Sequence, residues 1–132
     1  MRRTMMHAKI HRATITAANV DYIGSITLDP LLMEKAGILP HEQVHVLDLD
    51  NAARFVTYAI EGVRGSGQVV VNGAAARLVE PGEKVIVIAY AEFEDAEARK
   101  LIPKVVLVDE SNRVIPETKA PHATVLNRAH IT

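Results

Sequence analysis

The dipeptide Gly24-Ser25, set in Val20-Asp21-Tyr22-Ile23-Gly24-Ser25-Ile26-Thr27, puts a serine hydroxyl directly after a glycine carbonyl. A serine so placed can be raw material for a cofactor made from the backbone itself. Both residues are common, so a Gly-Ser pair arises on the order of once in a chain of this length by chance. Gly65-Ser66 is a second copy and acts as an internal control. A second group of reactive types stands on one apolar stretch, where Arg54, Thr57 and Tyr58 offer a guanidinium fork, a hydroxyl and a phenol. Arg54 could hold a carboxylate bidentately, and Tyr58 could donate a proton within hydrogen-bond reach. In a regular strand Arg54 and Tyr58 share a face and Thr57 points the other way. All three can then serve one site only if the strand is bulged or lies at a subunit boundary.

Other chemistry fares worse. His7 and His11, like His41 and His45, are four apart, which along a strand separates side chains by about 13 Å, too far for one metal. No metal is expected. The cluster Gly62-Val63-Arg64-Gly65-Ser66-Gly67 lacks the lysine and following helix of a phosphate loop, so it reads as a turn. Lys9 could form a Schiff base with pyridoxal phosphate, but that cofactor normally sits in a much larger scaffold.

The elements that must position these residues are short. Residues 7–16 read as a first strand, 19–24 break it, and 25–28 resume extended structure, so Gly24-Ser25 marks the entry from a turn into a strand. Asp29, Pro30 and Gly37 bracket a helix with an N-cap acid, a first-turn proline and a closing glycine. Residues 43–49 and 54–60 flank Asp50-Asn51 as a hairpin. A strand is expected over 69–71, a helical turn over 74–78, a brief helix over 94–100 and a last strand over 104–108. Residues 84–90 are continuously apolar, as for a central strand buried on both faces. Many short strands with turn signals between them point to a small β-barrel.

With 132 residues, 48% of them hydrophobic, the chain is sized for one domain with a real core. We expect that domain over 1–115 and a mobile tail over 116–132. Fifteen basic against sixteen acidic residues give a net charge of −1, which removes the basic excess expected of a nucleic-acid or membrane-surface binder. The absence of cysteine excludes a disulfide framework and fits a reducing cytoplasm. The first residues lack the apolar run of a signal peptide, and no window reaches the roughly 18 apolar residues of a membrane span.

Six segments in register resemble the bacterial aspartate 1-decarboxylase family. They are Lys9-Ile10-His11-Arg12-Ala13-Thr14-Ile15-Thr16, Tyr22-Ile23-Gly24-Ser25, Ala36-Gly37-Ile38-Leu39, Arg54-Phe55-Val56-Thr57-Tyr58-Ala59-Ile60, Arg64-Gly65-Ser66 and Val71-Asn72-Gly73-Ala74-Ala75-Ala76. The resemblance implies a mainly β fold, a small double-psi β-barrel with short helices, assembled as a homotetramer with active sites between neighbouring subunits. It implies decarboxylation of L-aspartate to β-alanine for pantothenate and coenzyme A synthesis. It also implies an inactive proenzyme cut between Gly24 and Ser25 into a β-chain (1–24) and an α-chain (25–132), the latter beginning at a pyruvoyl group derived from Ser25, with neither metal nor pyridoxal phosphate.

The residue chemistry is consistent with this. Ser25 Oγ can attack the Gly24 carbonyl to give an ester, and glycine, lacking Cβ, would permit the conformation and close approach required. Loss of the Ser25 α-proton then expels the ester as a carboxylate, and hydrolysis of the resulting dehydroalanine releases ammonia and leaves a ketone. That carbonyl would take the electron-sink part played elsewhere by pyridoxal phosphate, through a Schiff base with the substrate amine.

By resemblance, Lys9 and Arg54 bind substrate carboxylate and Tyr58 reprotonates the carbanion. Thr57 and Tyr22 act in self-cleavage, Thr57 by polarising the Gly24 carbonyl, and Thr57 also belongs to the substrate pocket, which Asn72, Gly73, Ala74 and Ala75 help to line. Some relatives mature unaided and others need an accessory protein. Position 23 is Ile where some relatives have a polar residue. Two competing readings are a pyruvoyl decarboxylase for another amino acid and a non-catalytic barrel in which Gly24-Ser25 is only a turn.

Overall fold

Alternation of apolar residues at every second position builds most of this molecule. A computed structural model describes residues 1–116. Its strands are β1 (Arg2–Thr14), β2 (Ala17–Asn19), β3 (Ser25–Leu28), β4 (Gln43–Asp48), β5 (Arg54–Glu61), β6 (Val69–Asn72), β7 (Lys84–Glu94) and β8 (Lys104–Leu107). Two short α-helices, α1 (Pro30–Ala36) and α2 (Asp95–Ala98), and a 3₁₀ helix (Gly73–Leu78) complete it. The strands form one sheet in the order β2-β6-β3-β5-β4-β7-β1-β8. β1 runs almost directly into β2, pairing with β7 as far as Thr14 and then with β6 through Thr16 N–H to Val69 O and Ala17 opposite Val70. One run of chain therefore closes the sheet into a barrel. Ile10, Ile26, Leu28, Val44, Val46, Val69, Val71, Val85 and Val87 fill it and are fully buried.

The mainly β class, with a small barrel and short helices, is the one the sequence leads us to expect. β1 differs in starting at Arg2. Its first residues have no alternation to announce a strand, but they pair with the far end of β7, Arg2 opposite Glu94 and Arg3 opposite Phe93, and Arg3 reaches Asp95 at 2.6 Å. β7 lies between β4 and β1 as a central strand should. Its expected burial on both faces holds only in part: Val85, Val87 and Ala89 enter the core, whereas on the outer face Ile88 is buried and Ile86 half-exposed. The expected tail lies, but for Pro116, outside the described residues.

Asp29 shows why Gly65-Ser66 is a turn and not a second reactive pair. Its Oδ1 caps α1 by accepting from Leu31 N–H at 2.9 Å, and also accepts from Gly65 N–H at 3.0 Å, while Oδ2 accepts from Gly67 N–H at 2.9 Å. Burial would raise this carboxyl, but the bonds from Gly67, Leu31 and Gly65 and the charge of Arg113 outweigh it and hold the group below its ordinary value. A depressed carboxylate stabilises the fold above its unfolded pKa of about 3.9, and the contribution is lost as pH falls through the native value. Asp29→Asn should therefore cost about 1–3 kcal/mol at pH 7. Urea unfolding down to pH 3 should show the wild-type advantage shrinking toward the acid end, and a difference that stays constant with pH would disprove the charge argument.

Candidate active site

Ser25 opens β3, where the exposed turn carrying Tyr22 and Ile23 meets the barrel. Only 1% of Ser25 is exposed, so its hydroxyl faces protein and not bulk water. Ser25 pairs with Asn72 on the antiparallel neighbour β6. Ser25 Oγ accepts from Asn72 Nδ2 at 3.0 Å and donates to Ile23 O at 3.0 Å. The same Asn72 amide donates to Thr27 Oγ1 at 2.9 Å, so one side chain spans the two hydroxyls that strand alternation puts on one face of β3. Thr27 was not among the residues singled out from sequence. The period of two from Ser25 to Thr27 carried the signal.

Glycine's part at this junction differs from the expectation. A Cβ added at Gly24 would meet nothing within 4 Å, and Gly24 is not among the residues with positive φ. Neither space nor φ demands glycine there in this conformation. Gly73 is the position that demands it, with φ +78° and an added Cβ falling 2.6 Å from Gly24 Cα, 2.8 Å from Gly24 N and 3.4 Å from Tyr22 O. The start of the 3₁₀ helix thus presses its backbone against the Gly24-Ser25 segment. Beyond Gly73, Ala74 is exposed and Ala75 packs partly against the core.

β5 is regular where it pairs with β4, from Gln43 opposite Tyr58 to Leu47 opposite Arg54, without a bulge. Thr57 pairs with the core residue Val44 and so faces inward, while Arg54 and Tyr58 face out. β5 also runs parallel to β3, with Ile26 opposite Ala59 and Thr27 opposite Ile60. Carried back beyond the last paired residues, that register leads to Ser25 alongside Tyr58 and Gly24 alongside Thr57.

The cations gather elsewhere on the barrel. Lys9, Ile88 and His45 share one row across β1, β7 and β4. Arg54 Nη2 lies 3.4 Å from His45 Nδ1 and 3.5 Å from Tyr90 OH, and the His45 and Tyr90 rings meet edge to face with centroids 4.9 Å apart. Neither His45 nor Tyr90 was expected beside Arg54, because the pairing of three strands brings them there. His7 Nε2 meets Glu42 Oε2 at 2.6 Å, and His41 stacks obliquely by Tyr58 at 6.4 Å. One way round the barrel β5, β4 and β7 lie between Ser25 on β3 and Lys9 on β1, and the other way only β6 and β2 do. A single chain brings Ser25 together with Asn72 and presses Gly73 against Gly24.

Residues 1–115 match the family model described as aspartate decarboxylase. The chain belongs to the aspartate decarboxylase family. Curated relatives named aspartate 1-decarboxylase agree in extent as well as identity. That of Maricaulis maris (strain MCS10) is 57% identical over 120 residues, covering 91% of this chain and 99% of its own. That of Thermoanaerobacter pseudethanolicus is 56% identical over 87% of this chain and 98% of its own, and that of Heliobacterium modesticaldum 51% over 93% of each. Among solved structures, the rationally designed protein mkDPBB_sym_86 aligns to 60% of this chain and 91% of its own, with a TM-score of 0.44 and 17% identity. No helix among the described residues is long and apolar enough to cross a membrane.

Proposed function

We propose that this chain is a pyruvoyl-dependent aspartate 1-decarboxylase, a carboxy-lyase that forms β-alanine and CO₂ from L-aspartate after cutting itself between Gly24 and Ser25. The observation that carries the reading is the setting of Ser25. Its nucleophilic oxygen is shielded from water, fixed by Asn72 and Ile23, and attached to the one segment that Gly73 holds by backbone contact. In the maturation step, Ser25 Oγ bonds to the Gly24 carbonyl carbon as the Gly24–Ser25 C–N bond breaks. The Ser25 α-proton then leaves with the Gly24 carboxylate, and water replaces the nitrogen, which departs as ammonia. Thr57, on the neighbouring strand β5, polarises the Gly24 carbonyl, and Tyr22 flanks the bond.

The residues around position 25 suit a pyruvoyl group made there, because the Asn72 amide donates to Ser25 Oγ, the atom that must leave with the Gly24 carboxylate before the new carbonyl oxygen takes the place of the Ser25 nitrogen. The pyruvoyl group supplies an electron-withdrawing carbonyl that takes up the pair released when the carboxylate departs as CO₂. Lys9 and Arg54 hold substrate carboxylate by charge, a pattern that favours aspartate over a neutral or basic amino acid. Tyr58 delivers a proton to carbon, and the backbone of Asn72, Gly73, Ala74 and Ala75 lines the pocket. The complete site draws residues from neighbouring copies, and the working form is a homotetramer in the cytoplasm.

Intact-mass measurement of denatured protein tests this directly. We expect a fragment ending at Gly24 and a second fragment running to Thr132 that is lighter by one NH₃ than the product of plain hydrolysis. A chain that stays whole on prolonged incubation, even with cell extract added as a source of accessory protein, would overturn the reading.

A further inference from the structure

Apart from the residues that contact Ser25, three acids converge where β4 ends and β7 begins. Asp48, Asp50 and Glu83 each offer a carboxylate oxygen, and these oxygens lie within 4.8 Å of one another. Each side chain is held by backbone. Asp48 Oδ1 accepts from Asp50 N–H at 2.8 Å and Asn51 N–H at 3.3 Å, Asp50 Oδ2 accepts from Lys84 N–H at 2.9 Å, and Glu83 Oε1 accepts from Glu80 N–H at 2.7 Å. The nearest ammonium in sequence is engaged elsewhere, Lys84 Nζ donating to Thr14 Oγ1 and Glu110 Oε2, both at 2.6 Å.

The second oxygen of Asp48 makes this more than a crowd of surface acids. Asp48 is 2% exposed, and its Oδ2 is buried without a hydrogen-bond donor among the described residues. A buried carboxylate oxygen left without a partner is strongly unfavourable. Its neighbour Glu83 is itself a carboxylate and can bond to it only by carrying a proton. The cluster therefore lacks positive charge. A cation or a shared proton can supply it.

We propose that Asp48, Asp50 and Glu83 form a binding site for a hard divalent cation, with Ca²⁺ preferred to Mg²⁺. All the donors are oxygens, the ligand class that such ions take. Oxygens within 4.8 Å of one another can share one ion, and three carboxylates held by backbone suit the many-oxygen, flexible shell of Ca²⁺ better than Mg²⁺, which asks for a near-ideal octahedron and is usually held by only one or two carboxylates. Asp50 is exposed, so water completes the shell and the affinity is modest, on the order of 10⁻⁴ M.

The test is calorimetric titration of EDTA-treated, full-length protein with CaCl₂ and separately with MgCl₂ at constant ionic strength, alongside thermal unfolding in about 10 mM of each salt. One Ca²⁺ per chain should bind, several-fold tighter than Mg²⁺, and raise the midpoint by roughly 10 °C. Asp48→Asn and Glu83→Gln should each weaken Ca²⁺ binding about tenfold or more. The amide introduced by Asp48→Asn can still accept the turn N–H bonds and can donate to Glu83, so that variant should fold. Undiminished binding in both variants would place the ion elsewhere and overturn the proposal. Indifference of the wild type to CaCl₂, with Glu83→Gln raising the midpoint at neutral pH, would assign the missing charge to a shared proton and overturn it equally.

Discussion

Ser25→Ala is expected to leave the chain whole and decarboxylase activity at background, a loss on the order of 10⁴-fold or more. The size of the effect follows from the two uses of one residue. Without Oγ there is nothing to attack the Gly24 carbonyl, and without cleavage no carbonyl can form at position 25. The substitution should be mild for the fold. It removes hydrogen bonds to Ile23 and from Asn72, each worth about 1 kcal/mol, and the Asn72 amide keeps Thr27 as an acceptor. Tyr58→Phe makes the informative contrast: it should spare cleavage and lower turnover by about 10²–10⁴-fold. Both are read from intact mass and CO₂ release on the same preparations. An uncut Ser25→Ala protein that still decarboxylates aspartate would remove Ser25 from the mechanism, and a fully active Tyr58→Phe would remove Tyr58 as proton donor.

What the sequence made legible was whatever depends on neighbours in the chain. The helix after Asp29 shows its cap, its proline and its closing glycine within nine residues, and Gly37 indeed closes it at φ +76°. The alternation in β4 declares Val44 and Val46 as core and puts Thr57, their neighbour across the hairpin, inside. Contacts between residues far apart in the chain left no such trace. Nothing near Arg2 announces a strand whose partner begins at Glu94, and nothing near Ser25 announces the amide of Asn72, 47 residues on. The place of Lys9 relative to Ser25 left no trace for the same reason. Its type and the resemblance mark it as a substrate ligand, yet strand order decides how far it stands from Ser25 in one chain, and that order is a property of the closed barrel.

The exchange of roles between Gly24 and Gly73 gives the sharpest structural expectation. Gly73→Ala should destabilise the protein by about 2–5 kcal/mol, combining about 1–2 kcal/mol for a left-handed alanine with about 1–3 kcal/mol for overpacking. The atoms its Cβ would meet, Gly24 Cα and N, are backbone and cannot swing aside as a side chain would. Relief therefore requires the Gly24-Ser25 segment to move, which draws Ser25 away from Asn72, and self-cleavage should slow by on the order of 10²-fold or more. Gly65→Ala separates the two contributions, since Gly65 has φ +80° but open space around an added Cβ. It should lose only the conformational part and cut at the normal rate. Gly24→Ala should fold with stability within about 1 kcal/mol of wild type, as nothing obstructs its Cβ. Urea unfolding and a cleavage time course on all three decide the matter. If Gly73→Ala cuts as fast as Gly65→Ala, the close approach of the two backbones has no part in holding the scissile bond. If only Gly73→Ala is slow, the glycine that matters for cutting lies far along the chain from the bond that is cut, and reaches it only because β6 pairs with β3.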